Sequence, residues 1–430
     1  MSTIITAVRC RRLWDSRGRP TVETEVTLEG GAVGRALAPA GASTGSGEAV
    51  DLRDGGERLG GFDVARAVAN VNDEIAPLLI GRDAADQVGI DAAMIARDGT
   101  VNKARLGGNA VIATSMAVLN AAAAAAGKPL WAYLANGGPV SIPVPEIQIF
   151  GGGAHAGRRI DVQDFLVICP TADSFATVME RTAEVYRAAG KLLKDQGRLA
   201  GVADEGGWWP VFDSNEEALD LLIRAIEKAG FTPGDEVSIA LDIAATDFFR
   251  DGAYRLGVEG RALDRDGLGE MLLGWVERYP ILSIEDPFAE DDHDGFRRFT
   301  AAVGHKVQVV GDDLLVTNAE RVTEAAERGL VTCALIKPNQ AGTVSETYAA
   351  LQAAKQHGLG AIVSARSGET EDVTIAHMAV GWNAGQFKVG SIARSERMAK
   401  WNEILRIEEA LTGQAVFAGP AALAFKKGGQ

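Results

Sequence analysis

The sequence predicts an α/β protein, a parallel βα-barrel preceded by a small α+β domain. Two patterns carry that prediction. After Ser141, short apolar runs alternate with amphipathic helical stretches for about 290 residues, and a barrel of this kind needs roughly 250. Before that point strands come first and helices follow, the order of a compact α+β unit. A doubly wound open sheet competes with the barrel, but no G-x-G-x-x-G follows a first strand.

The elements are read in chain order. Residues 21–28 alternate strictly between apolar and polar, as a strand with one wet face does. Gly30-Gly31 signals a hairpin and 32–37 the return strand. Residues 39–47 are all small or turn-forming, which predicts a mobile loop. Helical patterns then cover 64–79, 84–95 and 110–126. The Asn136-Gly137-Gly138-Pro139 cluster is the natural linker, so the domains are expected at 1–135 and 140–430. Barrel strands are expected at 237–241, 281–284, 307–310, 334–336 and 361–363, with helices such as 216–229 and 345–357 between them. Repeated β-then-α, buried on both sides, means a parallel sheet.

Composition removes several classes of function. Asp and Glu outnumber Lys and Arg by 58 to 43, a net charge of −15. So acidic a surface repels phosphate backbones, which argues against nucleic acid as partner. Cys10, Cys169 and Cys333 are far apart and show no CxxC spacing, so neither a disulfide framework nor a zinc site is expected. Residues 1–6 lack a signal-peptide pattern. The apolar stretch 110–127 is mostly alanine, which inserts weakly into bilayers, so a buried helix is expected there. These features point to a soluble, cytoplasmic protein with no membrane partner.

The chemistry lies where each apolar run stops. Asp242 follows Leu241, Glu285 and Asp286 follow Ile284, and Asp312 and Asp313 follow Gly311. Lys337 follows Ile336, Arg366 and Ser367 come just after Ser364, and Lys388 follows Phe387. Any one of these could be an ordinary polar residue leaving the core. Carboxylates on three successive strands, then cations on the next three, are harder to dismiss. Strand C-termini of a barrel meet at one mouth. A hard divalent ion wants oxygen ligands, so Asp242, Glu285 and Asp312 are expected to hold Mg²⁺. Lys337, beside a second cation in Lys388 and next to the metal, is expected to have a lowered pKa and to act as a general base. A base facing a carboxylate-bound metal suits removal of a proton alpha to a carboxylate, an arrangement already described for the enolase superfamily.

Longer motifs agree with that chemistry. They are Asp15-Ser16-Arg17-Gly18, Gly41-Ala42-Ser43-Thr44-Gly45, Gly152-Gly153-Ala154-His155-Ala156 and Asp204-Glu205-Gly206-Gly207. They continue with Ser283-Ile284-Glu285-Asp286-Pro287-Phe288, Gly311-Asp312-Asp313-Leu314, the run from Arg366 to Asp372, and Ala393-Arg394-Ser395-Glu396-Arg397. In this order, and nearly end to end, the chain resembles the enolase (phosphopyruvate hydratase) family. The resemblance implies a modified βα-barrel capped by the small domain, a homodimer, and a small phosphorylated carboxylate as substrate. It implies that Asp242, Glu285 and Asp312 bind the high-affinity Mg²⁺ and that Lys337 takes the C2 proton of 2-phosphoglycerate. Lys388 would neutralise the substrate carboxylate, Arg366 and Ser367 would bind its phosphate, and Ser43 would close over it and join a second Mg²⁺. His155 would lie near the phosphate, and Glu205 would help the C3 hydroxyl leave as water. Gln163 and Asp164 stand beside that group.

The chain departs from the family pattern around the mouth. Asp164 stands where the family has glutamate, and Ala365 where it has histidine before the arginine. Gly151-Gly152-Gly153 replaces Asn-Gly-Gly, and Trp208-Trp209-Pro210 replaces Phe-Ala-Pro. Lys337-Pro338-Asn339-Gln340 and Gly390-Ser391-Ile392 also differ. A retraction of ~1 Å at a reacting group can matter about a hundredfold, and two tryptophans could add an apolar wall. A second reading therefore stands beside a working enolase. It is a paralogue of phosphonate metabolism, similar to carboxyphosphonoenolpyruvate synthase, running the same enolate chemistry on a phosphoenolpyruvate-type skeleton. A third, a non-catalytic adhesion protein, is disfavoured because Gly428-Gly429-Gln430 follow Lys426-Lys427 and no terminal lysine is presented.

Overall fold

A computed structural model describes residues 1–42, 44–414 and 416–425. The N-terminal part opens with an antiparallel sheet of β1 (Ile5–Trp14), β2 (Pro20–Leu28) and β3 (Val33–Leu37), with β2 in the centre. The strict alternation of β2 does not mark a wet face. Glu23 and Glu25 are both paired with Arg11 of β1, at 3.1 and 2.9 Å, and Glu23 is buried. Cross-strand ion pairs cover the polar side instead of water.

Helical turns run from Ala65 to Leu79, followed by α1 (Gln87–Asp98) and α2 (Gly108–Ala125). Helix α2 is long and apolar enough to cross a membrane, yet 89 % of it is buried inside the protein. Its alanines let β3 come unusually close. A Cβ on Gly34 would sit 2.1 Å from the Ala121 backbone nitrogen, so only glycine fits there.

The rest of the chain is a closed eight-stranded barrel. Its strands are β4 (Val144–Gly151), β5 (Asp164–Ile168), β6 (Ser238–Asp242), β7 (Ile281–Glu285), β8 (Gln308–Gly311), β9 (Cys333–Ile336), β10 (Gly360–Ser364) and β11 (Gly385–Gly390). Each pairs with the next, and β11 pairs with β4 to close the ring. The expectation of a purely parallel sheet fails at one strand. β5 runs antiparallel to both β4 and β6. The link from β4 to β5 holds only the short helical turn Gly153–Ala156, and a parallel return needs a longer crossover. The reversal brings the start of β5 to the mouth where its neighbours end, and Asp164 lies opposite Asp242.

Between the strands the helices begin where their caps predict. Ser174 caps Phe175–Asp195, Ser214 caps Asn215–Lys228 and Thr343 caps Val344–Gln356, each by accepting a hydrogen bond from a backbone N–H of the first turn. An added hairpin, Leu199–Val202 with Trp208–Pro210, attaches to β4 at Phe150 and carries Glu205 in its turn.

Candidate active site

Each apolar strand ends where it leaves the core, and the next residues turn into one cavity. Its walls carry Asp242, Asp312, Lys337, Arg366, Ser367 and Lys388 from five strand ends. Gln163 and Asp164 enter from the start of β5, His155 from the β4–β5 link, and Glu205 from the added hairpin. Ala365 lines the same wall. Glu285 stands behind Lys388, whose Nζ donates to it at 2.8 Å. Ser43 lies outside the described residues. Of the other residues expected at the site, every one is at this mouth.

Two ammonium groups organise the carboxylates. Lys388 Nζ lies 2.9 Å from Asp242, 2.8 Å from Glu285 and 3.4 Å from Asp164. Burial opposes its charge, but Asp242, Glu285 and Asp164 prevail and hold its pKa well above the usual lysine value. Lys337 Nζ donates to Asp312. Burial would lower its pKa, but the Asp312 charge outweighs that and raises it. Lys388 and Arg366 each lower it, as expected of neighbouring cations, but the Asp312 and Glu285 carboxylates leave it raised on balance.

The oxygen donors fit a hard divalent ion. Glu285 Oε1 is buried and has no hydrogen-bond partner. Burial and the neighbouring Asp242 push the Glu285 pKa well up, the sign of negative charge in excess of its counterions. Among the described residues, two groups gather ligand atoms within 4.8 Å of one another, His155 with Asp164 and Glu205, and Asp286 with Asp312 and Asp313. Asp286 is engaged already. Its two oxygens accept the backbone N–H groups of Asp312 and Asp313 at 2.9 and 2.8 Å, which shapes the acidic turn.

On the next side, Asp164 accepts from Gln148 and lies 3.5 Å from His155 Nδ1. Although burial would raise it, the Lys388 charge and His155 hold its carboxyl well below the usual range. Burial would lower the His155 pKa, but Glu205 and Asp164 raise it. Burial raises Glu205, which keeps its proton more readily than an exposed glutamate. The Asp204–Gly207 turn owes its glycines to crowding. A Cβ on Gly206 would lie 2.3 Å from the Ala393 carbonyl, and one on Gly207 2.4 Å from Gln148.

The anion-binding side is braced from below. Buried Arg397 donates to the carbonyls of Arg366, Ser367 and Val389. Lys400 holds Glu369 at 3.0 Å, and Glu369 accepts the Arg366 backbone N–H. Ser367 Oγ accepts from the Ala42 N–H at 2.7 Å and from Arg17 at 3.3 Å, tying the small-residue loop to this wall. Sequence reading missed Glu48 and Lys400, and gave Asp286 and Gln340 no role of their own. Lys400, a helical turn after Arg397, had a signal in its spacing; Glu48 had none. The tryptophan pair is not a pocket wall. Trp208 stacks on Tyr186 at 4.4 Å, and Trp209 packs beside Gly157; neither lines the cavity.

Two family models match the chain. The N-terminal domain of enolase covers residues 5–134, and the C-terminal TIM barrel domain of enolase covers 139–426. The chain belongs to the enolase family. It is 50 % identical over 414 residues to "Enolase 1" of Desulfitobacterium hafniense (strain Y51), across 96 % of this chain and 95 % of that protein. It is a carbon–oxygen lyase of the phosphopyruvate hydratase type. As an enolase-family barrel it keeps its polar side chains at the strand C-termini, with β5 as the one strand that contributes from its start.

Proposed function

We propose that this enzyme interconverts 2-phosphoglycerate and phosphoenolpyruvate with Mg²⁺. The observation that carries the reading is one cavity holding a strand-end amine, Lys337, a proton-retaining acid, Glu205, and a cationic wall of Lys388 and Arg366. Arg366 and Ser367 bind the substrate phosphate. Lys388 meets its carboxylate. Lys337 removes the C2 proton, and it can do so once its own proton is gone and Asp312 no longer holds it. Glu205 gives its proton to the leaving C3 hydroxyl, with His155 and Asp164 setting the charge around it.

Asp242, Glu285 and Asp312 would hold the ion, with Ser43 at a second, and Mg²⁺ there would supply positive charge to offset the negative charge that develops on the substrate carboxylate. Gln163, which donates to Asp242 at 3.0 Å, orients that carboxylate. The same reading takes residues 1–135 as the capping domain and 140–430 as the barrel, in a cytoplasmic homodimer. The tryptophans that suggested the phosphonate-pathway paralogue lie off the cavity, and of its two grounds only Ala365 lines the wall.

The test is solvent exchange. In D₂O with Mg²⁺, the wild type should exchange the C2 proton of 2-phosphoglycerate, and Lys337→Ala should lose ~10²–10⁴-fold in that rate while still binding substrate. Undiminished exchange in the variant would move the base elsewhere.

A further inference from the structure

Glu48 lies just beyond the small-residue loop, and the proposed chemistry has no use for it. Its side chain is nevertheless only 8 % exposed, and that of Arg366 3 %. The two meet fork to fork. Arg366 Nη1 donates to Glu48 Oε2 at 2.8 Å and Nη2 to Oε1 at 3.2 Å. Such a pair fixes the plane of a guanidinium as well as its charge. Glu48 Oε1 also accepts the Gly45 N–H at 3.0 Å, which ties it to the loop. Gln340 Nε2 donates to the same oxygen at 3.3 Å and to Asp312 at 2.8 Å. Asn339 Oδ1 also accepts from Arg366 Nη1 at 3.1 Å.

We propose that Glu48 is a positioning residue for substrate binding, which sets the orientation of Arg366 toward the substrate phosphate and couples it to the Gly45 end of the loop. Two geometries were open. Glu48 could instead be a stand-in anion that the phosphate displaces. Burial argues against that, because displacement would strand a carboxylate away from water, which is strongly unfavourable. Gln340 extends the same link to Asp312, so the loop, the anion site and the acidic turn share one hydrogen-bonded frame.

The inference rests on Arg366 as the phosphate binder, and the experiment separates the two. Steady-state kinetics with 2-phosphoglycerate and Mg²⁺ would be run on wild type, Glu48→Gln, Glu48→Asp and Arg366→Lys, with inorganic phosphate as competing inhibitor. Glu48→Gln keeps the shape but points an amide N–H₂ at the guanidinium. Loss of a charge-assisted bond of this kind predicts a roughly 10- to 100-fold rise in KM. Phosphate inhibition should weaken in parallel, kcat should change less than about threefold, and Glu48→Asp should lie between. A merely structural role would lower thermal stability and leave KM and phosphate inhibition alone. A stand-in role would lower KM and tighten phosphate. Either result overturns the proposal. If Glu48→Gln fails to fold, Glu48→Asp decides the same question. Unchanged KM and phosphate inhibition in Arg366→Lys would overturn the reading of Arg366 itself.

Discussion

Replacing Lys388 by methionine tests the charge arrangement of the whole mouth. The ammonium lies within 3.4 Å of Asp164, Asp242 and Glu285, and all four side chains are at most 7 % exposed. Methionine keeps most of the stem and removes the charge. Breaking a buried pair by deleting one partner costs about 3–5 kcal/mol, because the other charge is stranded. Three carboxylates are stranded here, but the full cost is not tripled. Glu285, whose pKa burial and Asp242 already push well up, takes a proton and relieves the repulsion. We therefore expect a loss of about 3–5 kcal/mol at pH 7 without metal. The assay is urea unfolding followed by tryptophan fluorescence, using buried Trp275 and Trp401 as reporters of the barrel. The barrel transition is analysed by itself, since a chain with two folded parts need not unfold in one step. Added Mg²⁺ should restore more stability to the variant than to the wild type, because no ammonium competes for the Asp242 and Glu285 oxygens and binding to the folded state stabilises it. A metal-free loss below about 1 kcal/mol, well under the cost of a broken buried pair, would refute the reasoning. So would an Mg²⁺ response no larger than that of the wild type.

Two further outcomes follow from the other side of the cavity. His155 has a folded pKa raised above its usual value near 6.5, so its charge stabilises the fold below about pH 6.5 and that contribution is lost as pH rises through the raised value. The melting temperature of the wild type should therefore exceed that of His155→Gln most near pH 6, with the gap shrinking toward pH 9; a gap that widens with pH contradicts the assignment. Wild-type dehydration of 2-phosphoglycerate should be slow relative to C2-proton exchange, and Asp164→Glu with Ala365→His should raise it. Each single variant is needed because the two sites line one cavity and can couple. The longer side chain must also fit against Gln148, His155 and Lys388, so a stability loss of about 1–3 kcal/mol is expected alongside. Ordinary turnover in the wild type with no gain in the double variant would leave both departures neutral.

Local pattern was enough for much of this protein. The β-then-α repeat after Ser141 is a property of neighbours in the chain, and so is the habit of Asp242, Asp312 and Lys337 to follow an apolar run directly. Both could be read because strand burial has a short period and a strand end is marked by the first charge after it. The expected strands fall within about a residue of observed ones, whereas Ile5–Trp14, Val144–Gly151, Asp164–Ile168 and Gly385–Gly390 were not among them. Small glycine-rich motifs were also legible, and the crowding at Gly206 and Gly207 supplies their physical cause.

What only the tertiary structure decided involves partners far apart in sequence. The reversal of β5 depends on how much chain joins it to β4, and it is this reversal that brings Asp164 to the mouth opposite Asp242. The protonation of Lys337 depends on Asp312 and Glu285, which raise its pKa by more than burial, Arg366 and Lys388 lower it. The burial of Glu23 depends on Arg11 crossing from the neighbouring strand. Glu48 looks like any polar residue after a flexible loop until Arg366 arrives from the far end of the barrel to meet it. Residue type and spacing specify which groups leave the core and where. Which charge each one meets is set by chain closure, because Coulomb interactions in a buried site act through space between segments whose sequence separation carries no signal.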